Sequence, residues 1–300
     1  MSVHIAIPEP TSTDSAYNQS SLPSYLAALH SAGVTPVIVP LHERQDRVAR
    51  LLLGVQGILL PGSGYDVDPE RYGEARIPEC GEADAARTAV DELLLQDAFN
   101  LQKPILAICH GAQTLNVWRN GTLIQDLQTS VNHAPGRTVL DAHSVRIAPG
   151  SRLASLHACS EHIQHIAVER HRTGPLSGHD FAPGLNRGES GGVGARDLVA
   201  ESPVAPRVSM HLPASEVLVN SSHHQAVKTP GNNLLVSAVS TEDGVIEAVE
   251  LDSAEHFVIG VQWHPERTYT HSAFSRAIFS AFIQAASAWQ PRRIEVSVAL

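Results

Sequence analysis

The first 110 residues alternate short apolar runs with longer segments of helical periodicity. Four runs have the length and composition of buried strands: VHIAI (3–7), VTPVIVPL (34–41), QGILLPGSG (56–64) and KPILAIC (103–109). The segment 83–101 between the last two has the clearest amphipathic helical pattern. Strands that alternate with helices are typical of a parallel sheet covered on both faces. The sequence therefore predicts an α/β fold, a three-layer α/β/α sandwich around a central, mostly parallel sheet.

The middle of the chain loses this regularity. Residues from about 157 to 216 hold many His, Pro and Gly residues and show little periodicity, which is typical of a long surface insertion. Strand-like patterning returns after it, and residues 272–289 form a last helical pattern. We therefore predict one domain over residues 1–290, with an insertion at about 157–216 and a C-terminal tail at 291–300.

Composition narrows the class of protein. The formal net charge of −10 argues against nucleic acid as a partner, because binding phosphates requires a basic face. No apolar run approaches the roughly 18 residues of a membrane span, and the N-terminus lacks a signal-peptide pattern. Three cysteines, Cys80, Cys109 and Cys159, do not suggest a disulfide framework. We expect a cytoplasmic protein with no membrane partner.

Cys109 stands between an apolar strand and a helical segment, HGAQTLNVW. A residue at such a tight turn projects into the cleft beyond the strands when its neighbours are small, as Ala107 and Gly111 are. The N-terminus of the following helix favours a thiolate and should lower the thiol pKa. These features indicate a nucleophile, with a packed core cysteine as the alternative.

A catalytic cysteine needs a base, and FVIGVQWHPE offers one. His264 follows a buried-looking strand, so it should lie at the same sheet edge as Cys109. Glu266 is two residues on, and its carboxylate can hold the imidazole in one tautomer. A solvated His-Glu pair at a strand end is the alternative.

Four separated blocks carry a family resemblance. They are ILLPGSGYDVDPERYGE (58–74), ICHGAQTLNVWRNGTLIQDL (108–127), VNSSHHQAV (219–227) and GVQWHPE (260–266). With them the chain resembles the class I glutamine amidotransferase superfamily. Within that superfamily it is similar to the gamma-glutamyl-gamma-aminobutyrate hydrolase type of gamma-glutamyl peptidase. The resemblance implies a flavodoxin-like sandwich and a small-molecule gamma-glutamyl substrate.

The same resemblance implies a role for each matching residue. Cys109 would be the nucleophile, His264 the general base and acid, and Glu266 the orienting carboxylate. Backbone N–H groups of His110 and of the PGSG turn, at Gly62 or Ser63, would stabilise the oxyanion. Gln113 would be a substrate-contacting glutamine. The wall that holds the glutamyl end would be built from His223, His224 and Gln225, for which a polar strand edge is the alternative.

The chain departs from the family pattern where a substrate charge would be bound. His110 replaces an arginine that usually follows the nucleophile, and Ala107 replaces a glycine. If that arginine holds a substrate carboxylate, specificity has shifted.

Two rival functions stay open, a glutaminase subunit that supplies ammonia to a synthase and a catalytically silent binding protein. We expect no cofactor, because thiol-based amide hydrolysis needs none. We expect no metal, since HIQH (162–165) and the adjacent His223 and His224 lack a recognisable ligand pattern. The released amine and the assembly state, including a homodimer, are left open.

Overall fold

Parallel strands form the half of the sheet that leads to the candidate residues. The computed structural model describes residues 2–173 and 215–291, and its first four strands are β1 (His4–Pro8), β2 (Thr35–Val39), β3 (Gly57–Leu60) and β4 (Ile105–Ile108). They lie in the order β2-β1-β3-β4, and the late strand β11 (Val258–Val261) pairs with β4, all in parallel. The predicted α/β class is confirmed. Strands β4 and β11 are neighbours in the sheet although they lie far apart in the sequence.

The other half of the sheet is antiparallel. Its strands are β5 (Thr122–Ile124), β6 (His143–Ile147), β7 (Ser215–Val219), β8 (Ala226–Thr229), β9 (Leu234–Ser240) and β10 (Ile246–Leu251). The order continues β11-β10-β9-β6-β7, while β8 pairs with β10 and β5. We did not predict β5 and β6, because three and five residues of mixed polarity are too short to show a period.

Helices cover both faces of the sheet. They are α1 (Ser15–Ser31), α2 (Gln45–Leu52), α3 (Ala85–Leu101), α4 (His110–Trp118), α5 (Arg152–Thr173), α6 (Pro265–Thr268) and α7 (Ala273–Ala288). Neighbouring residues of β1 point to opposite faces: Ile5 packs in one core cluster with Phe282 of α7, and Ala6 packs in another with Leu94 of α3. The three layers follow from this alternation. None of the helices described here is long and apolar enough to cross a bilayer.

The first part of the predicted insertion is helical. Residues 157–173 belong to α5, where the sequence predicts little regular structure. The start of α5 is held by buried Leu153 and by His157, whose ring lies edge-on to Phe274 of α7 with centroids 5.1 Å apart. Polar residues on the rest of α5 hide the helical period. The segment 174–214 of the insertion and the tail at 292–300 lie outside the described residues.

Arg87 ties two strand ends together below the candidate site. Its side chain is fully buried, and its guanidinium donates to the backbone oxygens of Pro10 at 2.8 Å and Pro61 at 2.7 Å. Nε donates to the carboxylate of Asp91, also fully buried, at 2.8 Å. Arg87 therefore holds the loops that follow β1 and β3 in one position.

Arg87→Met should lower the free energy of unfolding by about 3–5 kcal/mol, because it leaves the Asp91 carboxylate buried without its partner. Urea denaturation of the wild type and the variant measures this. The double variant Arg87→Met/Asp91→Leu should recover most of the loss, since both charges are then gone. A single variant within about 1 kcal/mol of wild type would contradict the assignment.

Candidate active site

Cys109 occupies a strained turn between β4 and α4. Its backbone has φ 52° and ψ −112°, a left-handed conformation that is costly for a residue with a side chain. The turn is so tight that a Cβ on Gly111 would overlap the backbone oxygen of Leu60. Only glycine therefore fits at that position. The predicted strand-turn-helix geometry is observed. It places the sulfur at the carboxyl end of the sheet.

His264 reaches the same place from the other end of the chain. β11 and β4 are parallel neighbours, with Val261 opposite Ile108, so both strands end at the same edge. A Cβ built on Gly62 would lie 3.0 Å from Cε1 of His264 and 3.6 Å from Cβ of Cys109. The imidazole and the cysteine therefore flank one glycine, which leaves the space between them open.

Glu266 sets the orientation of this imidazole. Its Oε1 lies 2.8 Å from Nδ1 of His264, and both side chains are 2% exposed. A carboxylate accepts, so Nδ1 carries the hydrogen and the lone pair is on Nε2. Nε2 is buried and has no hydrogen-bond partner in the described part of the chain. The imidazole thus keeps a free proton acceptor, although His264 is not among the residues that line the pocket described below.

Asn220 fixes the backbone of His264, a contact that sequence reasoning missed. Its side chain accepts from the amide of His264 and donates to the carbonyl of His264, both at 2.8 Å. The paired bonds lock the peptide on both sides of the imidazole. The signal was present in the VNSSHHQAV block, but nothing local shows that its asparagine faces a residue 44 positions away.

The resting sulfur is a neutral thiol, contrary to our expectation of a lowered pKa. Burial raises the pKa of Cys109 to about 12, although the Arg267 charge and the His110 amide both act to lower it. The side chain is almost completely enclosed, so loss of hydration outweighs the helix N-terminus. Burial also lowers the pKa of His264, against the pull of Glu266. Thiol and imidazole are therefore both uncharged near pH 7.

The sulfur opens onto a polar pocket of about 180 Å³. Seven of the predicted residues line it: Ser63, Cys109, His110, Gln113, His223, His224 and Gln225. Five further residues complete the lining, namely Tyr17, Gly64, Tyr65, Asp66 and Ser222. The structure thus collects the predicted wall around the sulfur, and shows that the segment after β3 and the first turns of α1 also contribute.

Of the predicted oxyanion donors, Gly62 is already engaged. Its amide donates to the hydroxyl of Tyr25 at 3.0 Å, so in this structure it is not available to a substrate oxygen. The amide of His110 points at the sulfur of Cys109, where it helps to lower the thiol pKa. Ser63, the other predicted donor of the PGSG turn, lines the pocket. Sequence reasoning missed Tyr25, which lies far upstream and is buried.

Three glutamines form a fixed network beside the sulfur. Gln113 donates to the backbone oxygen of Gln225 at 2.9 Å and to Oε1 of Gln262 at 3.2 Å. Gln262 in turn donates to the sulfur of Cys109 at 3.5 Å. The side-chain amides are therefore oriented before any ligand binds, which favours recognition of a polar ligand over an apolar one.

Comparison with known protein families identifies the family of this chain. A family model described as Peptidase C26 matches residues 5–173 and 201–266. The chain belongs to the Peptidase C26 family. It is 31% identical to gamma-glutamyl-gamma-aminobutyrate hydrolase PuuD of Escherichia coli K12, over 87% of this chain and 84% of that protein. It is 28% identical to the glutamine amidotransferase-like protein RP404 of Rickettsia prowazekii, over 87% of both chains.

Solved structures place this C26 protein among class I glutamine amidotransferase folds. The glutaminase domain of CTPS from Trypanosoma brucei, with bound acivicin, superposes with a TM-score of 0.50 at 16% identity, over 96% of this chain and 97% of that one. A candidate GMP synthase component from Thermoplasma acidophilum gives a TM-score of 0.53 at 14% identity, over 96% of both chains. The superfamily and fold predicted from the four blocks are confirmed.

His110, the main departure from the family pattern, carries no charge in this C26 protein. Its side chain is 4% exposed, and burial lowers its pKa to about 3, with the neighbouring charge of Arg87 acting in the same direction. Its Nδ1 lies 3.4 Å from the hydroxyl of Thr114, one turn further along α4. A neutral imidazole does not replace the charge of an arginine, so a substrate carboxylate would need a different partner.

His224 is the charged histidine of the pocket. Its Nε2 contacts Asp66 and its Nδ1 contacts Asp126, each at 3.0 Å. The hydrogen bond to Asp66, reinforced by Asp126, raises its pKa to about 9. Both nitrogens then donate, and His224 bridges the segment after β3 to the segment after β5.

This bridge should make stability depend on pH. The folded pKa of His224 lies above its unfolded value, so the bridge stabilises fully below about pH 6.5 and is lost as pH rises through about 9. Because the side chain is 43% exposed, solvent screening limits the effect to about 1 kcal/mol. Urea denaturation should show His224→Gln less stable than wild type near pH 6 and equal to it near pH 10. A difference that does not change with pH would contradict the bridge.

Proposed function

We propose that this protein is a stand-alone hydrolase of small gamma-glutamyl amides, with Cys109, His264 and Glu266 as its catalytic residues. One observation carries the proposal: the free Nε2 edge of an oriented imidazole and the cysteine flank the same glycine beside a polar pocket. The 31% identity with a gamma-glutamyl-gamma-aminobutyrate hydrolase supports this substrate class.

The first half of the proposed reaction forms a thioester. Nε2 of His264 takes the proton of the Cys109 thiol, and the thiolate attacks the gamma-carbonyl carbon of the substrate. Because burial raises the pKa of the thiol, a general base is needed to remove its proton as the attack begins. Backbone amides of His110 and Ser63 stabilise the oxyanion, where losing one donor typically costs about 3–4 kcal/mol. His264 then protonates the leaving amine as the carbon–nitrogen bond breaks.

The second half releases the acid. With the amine gone, His264 is again neutral and takes a proton from water, which attacks the thioester carbonyl. The carbon–sulfur bond breaks, the thiolate recovers its proton from His264, and the gamma-carboxylic acid leaves. Glu266 stabilises the imidazolium that forms in each half.

A glutaminase subunit is the second candidate. It is favoured by the name of the Rickettsia relative and by no feature of the pocket. Such a subunit should release ammonia from glutamine and depend on a partner synthase, whereas the proposed hydrolase turns over alone.

The purified chain should be assayed alone with gamma-glutamyl-gamma-aminobutyrate, other gamma-glutamyl amines, gamma-glutamyl dipeptides and free glutamine. Glutamate release and ammonia release are measured separately. We expect at least one conjugate to be hydrolysed with a kcat/KM at least about tenfold above that of glutamine. Hydrolysis of glutamine alone would favour the glutaminase subunit, and no hydrolysis of any substrate would contradict both candidates.

A further inference from the structure

Three imidazoles surround one buried carboxylate, and one of them, that of His223, also lines the pocket. His133, His143 and His223 all approach Glu247 of β10, and each of the four residues is at most 6% exposed. Oε1 of Glu247 lies 3.2 Å from Nδ1 of His133, 3.1 Å from Nε2 of His143 and 3.5 Å from Nε2 of His223. No step proposed above for the thiol uses this cluster.

Two of these histidines are oriented as metal ligands are. His223 donates from Nδ1 to the backbone oxygen of Gln225 at 2.9 Å, since a carbonyl can only accept. His133 contacts the Asp243 carboxylate through Nε2 at 2.9 Å, again an acceptor. In both rings the outer nitrogen is bound to an oxygen, which is how the rings of ligating histidines are held in place.

The inner atoms are left without aligned hydrogen bonds. Nδ1 of His133, Nε2 of His223 and Oε2 of Glu247 are buried and have no hydrogen-bond partner among the described residues. Buried polar atoms that converge without bonding to each other are costly unless a third species lies between them.

The spacing of the inner atoms suits a tetrahedral metal ion. One ligand atom from each of His133, His223 and Glu247 lies within 4.8 Å of the others. Around a zinc ion with bonds of 2.0–2.1 Å, tetrahedral ligands are about 3.3 Å apart. The contacts of both imidazoles with Glu247, at 3.2 and 3.5 Å, already match this separation.

We propose that His133, His223 and Glu247 bind a divalent transition metal ion of the zinc type, while His143 holds Glu247 through the hydrogen bond from its Nε2 to Oε1 at 3.1 Å. Two imidazoles and one carboxylate are a donor set of zinc sites, in which water takes the fourth position. The ion fixes His223 and, through the carbonyl of Gln225, the side chain of Gln113 that borders the sulfur. The ligands lie far apart in the sequence, so no spacing motif indicates them.

Metal content and binding in the full-length protein test the proposal directly. Protein stripped with a chelator should bind one equivalent of Zn²⁺ in competition with a chromophoric chelator, and its thermal midpoint should rise. Co²⁺ should give the visible absorption of a tetrahedral complex. Two results would overturn the proposal: Zn²⁺ binding no tighter than that of exposed histidines, or an octahedral Co²⁺ spectrum. The buried imidazoles and Glu247 would then share protons instead of a metal ion.

Variants separate this site from stray histidine binding. Glu247→Gln should abolish tight binding, and Asp243→Asn, which removes the negative charge behind His133, should weaken it about 10–100-fold. His30→Gln alters an exposed imidazole and should bind like wild type. If Glu247→Gln fails to fold, the Asp243→Asn titration decides. Unchanged affinity in Asp243→Asn would overturn the assignment of His133.

Discussion

Cys109→Ala is expected to reduce kcat/KM for gamma-glutamyl amides by at least about 10⁴-fold, because no other group can form the thioester. The residual rate would come from the pocket and the backbone donors alone. Hydrolysis is measured with the substrate of the gamma-glutamyl panel that the wild type cleaves fastest.

The chain provides a matched control in Cys159, a free cysteine that is exposed on α5. Cys159→Ser should keep full activity, so any general effect of removing a thiol is accounted for. Both variants should unfold at urea concentrations close to that of wild type. A Cys109→Ala protein that is folded and still turns over at more than about a hundredth of the wild-type rate would remove Cys109 from the mechanism.

Glu266→Gln is expected to lower kcat by about 10²–10⁴-fold with much less effect on KM, because the carboxylate stabilises the imidazolium and does not line the pocket. A glutamine has nearly the same shape but no charge. Burial then lowers the pKa of His264 without the opposing pull of Glu266. The acidic limb of the pH–rate profile should therefore move to lower pH in the variant.

Glu242→Gln serves as its control, since Glu242 is exposed on a turn, does not line the pocket and undergoes the same change of charge. It should leave both kcat and the pH profile unchanged. A Glu266→Gln variant with a normal rate, or with a slow rate and an unmoved acidic limb, would show that Glu266 does not act through His264.

Most of the predictions that the structure confirms depended on local sequence patterns. Strand-turn-helix order around Cys109 follows from an apolar run, small neighbours and a helical segment, all within about a dozen residues. The strand before His264 is equally local. Where contacts join distant parts of the chain, prediction failed: Asn220, Tyr25 and Arg87 support the site from positions that no periodicity connects to it.

The error over the thiol pKa has the same origin. A helix N-terminus is visible in the sequence, and it does favour a thiolate. Burial depends on what packs over the sulfur from the rest of the chain, and here it outweighs the local effect. The helix at residues 157–173 was not predicted for a related reason, since the polar half of α5 shows no period of its own.

The sequence by itself determined the α/β class, the superfamily and the choice of three candidate catalytic residues, because each depends on short motifs and on the alternation of apolar runs. Only the tertiary structure decided that the thiol is neutral, that Gly62 is engaged by Tyr25, and that three distant histidines converge on Glu247. The physical reason is that hydration, hydrogen-bond partners and charge neighbours are properties of contacts, and most contacts here join residues far apart in the chain.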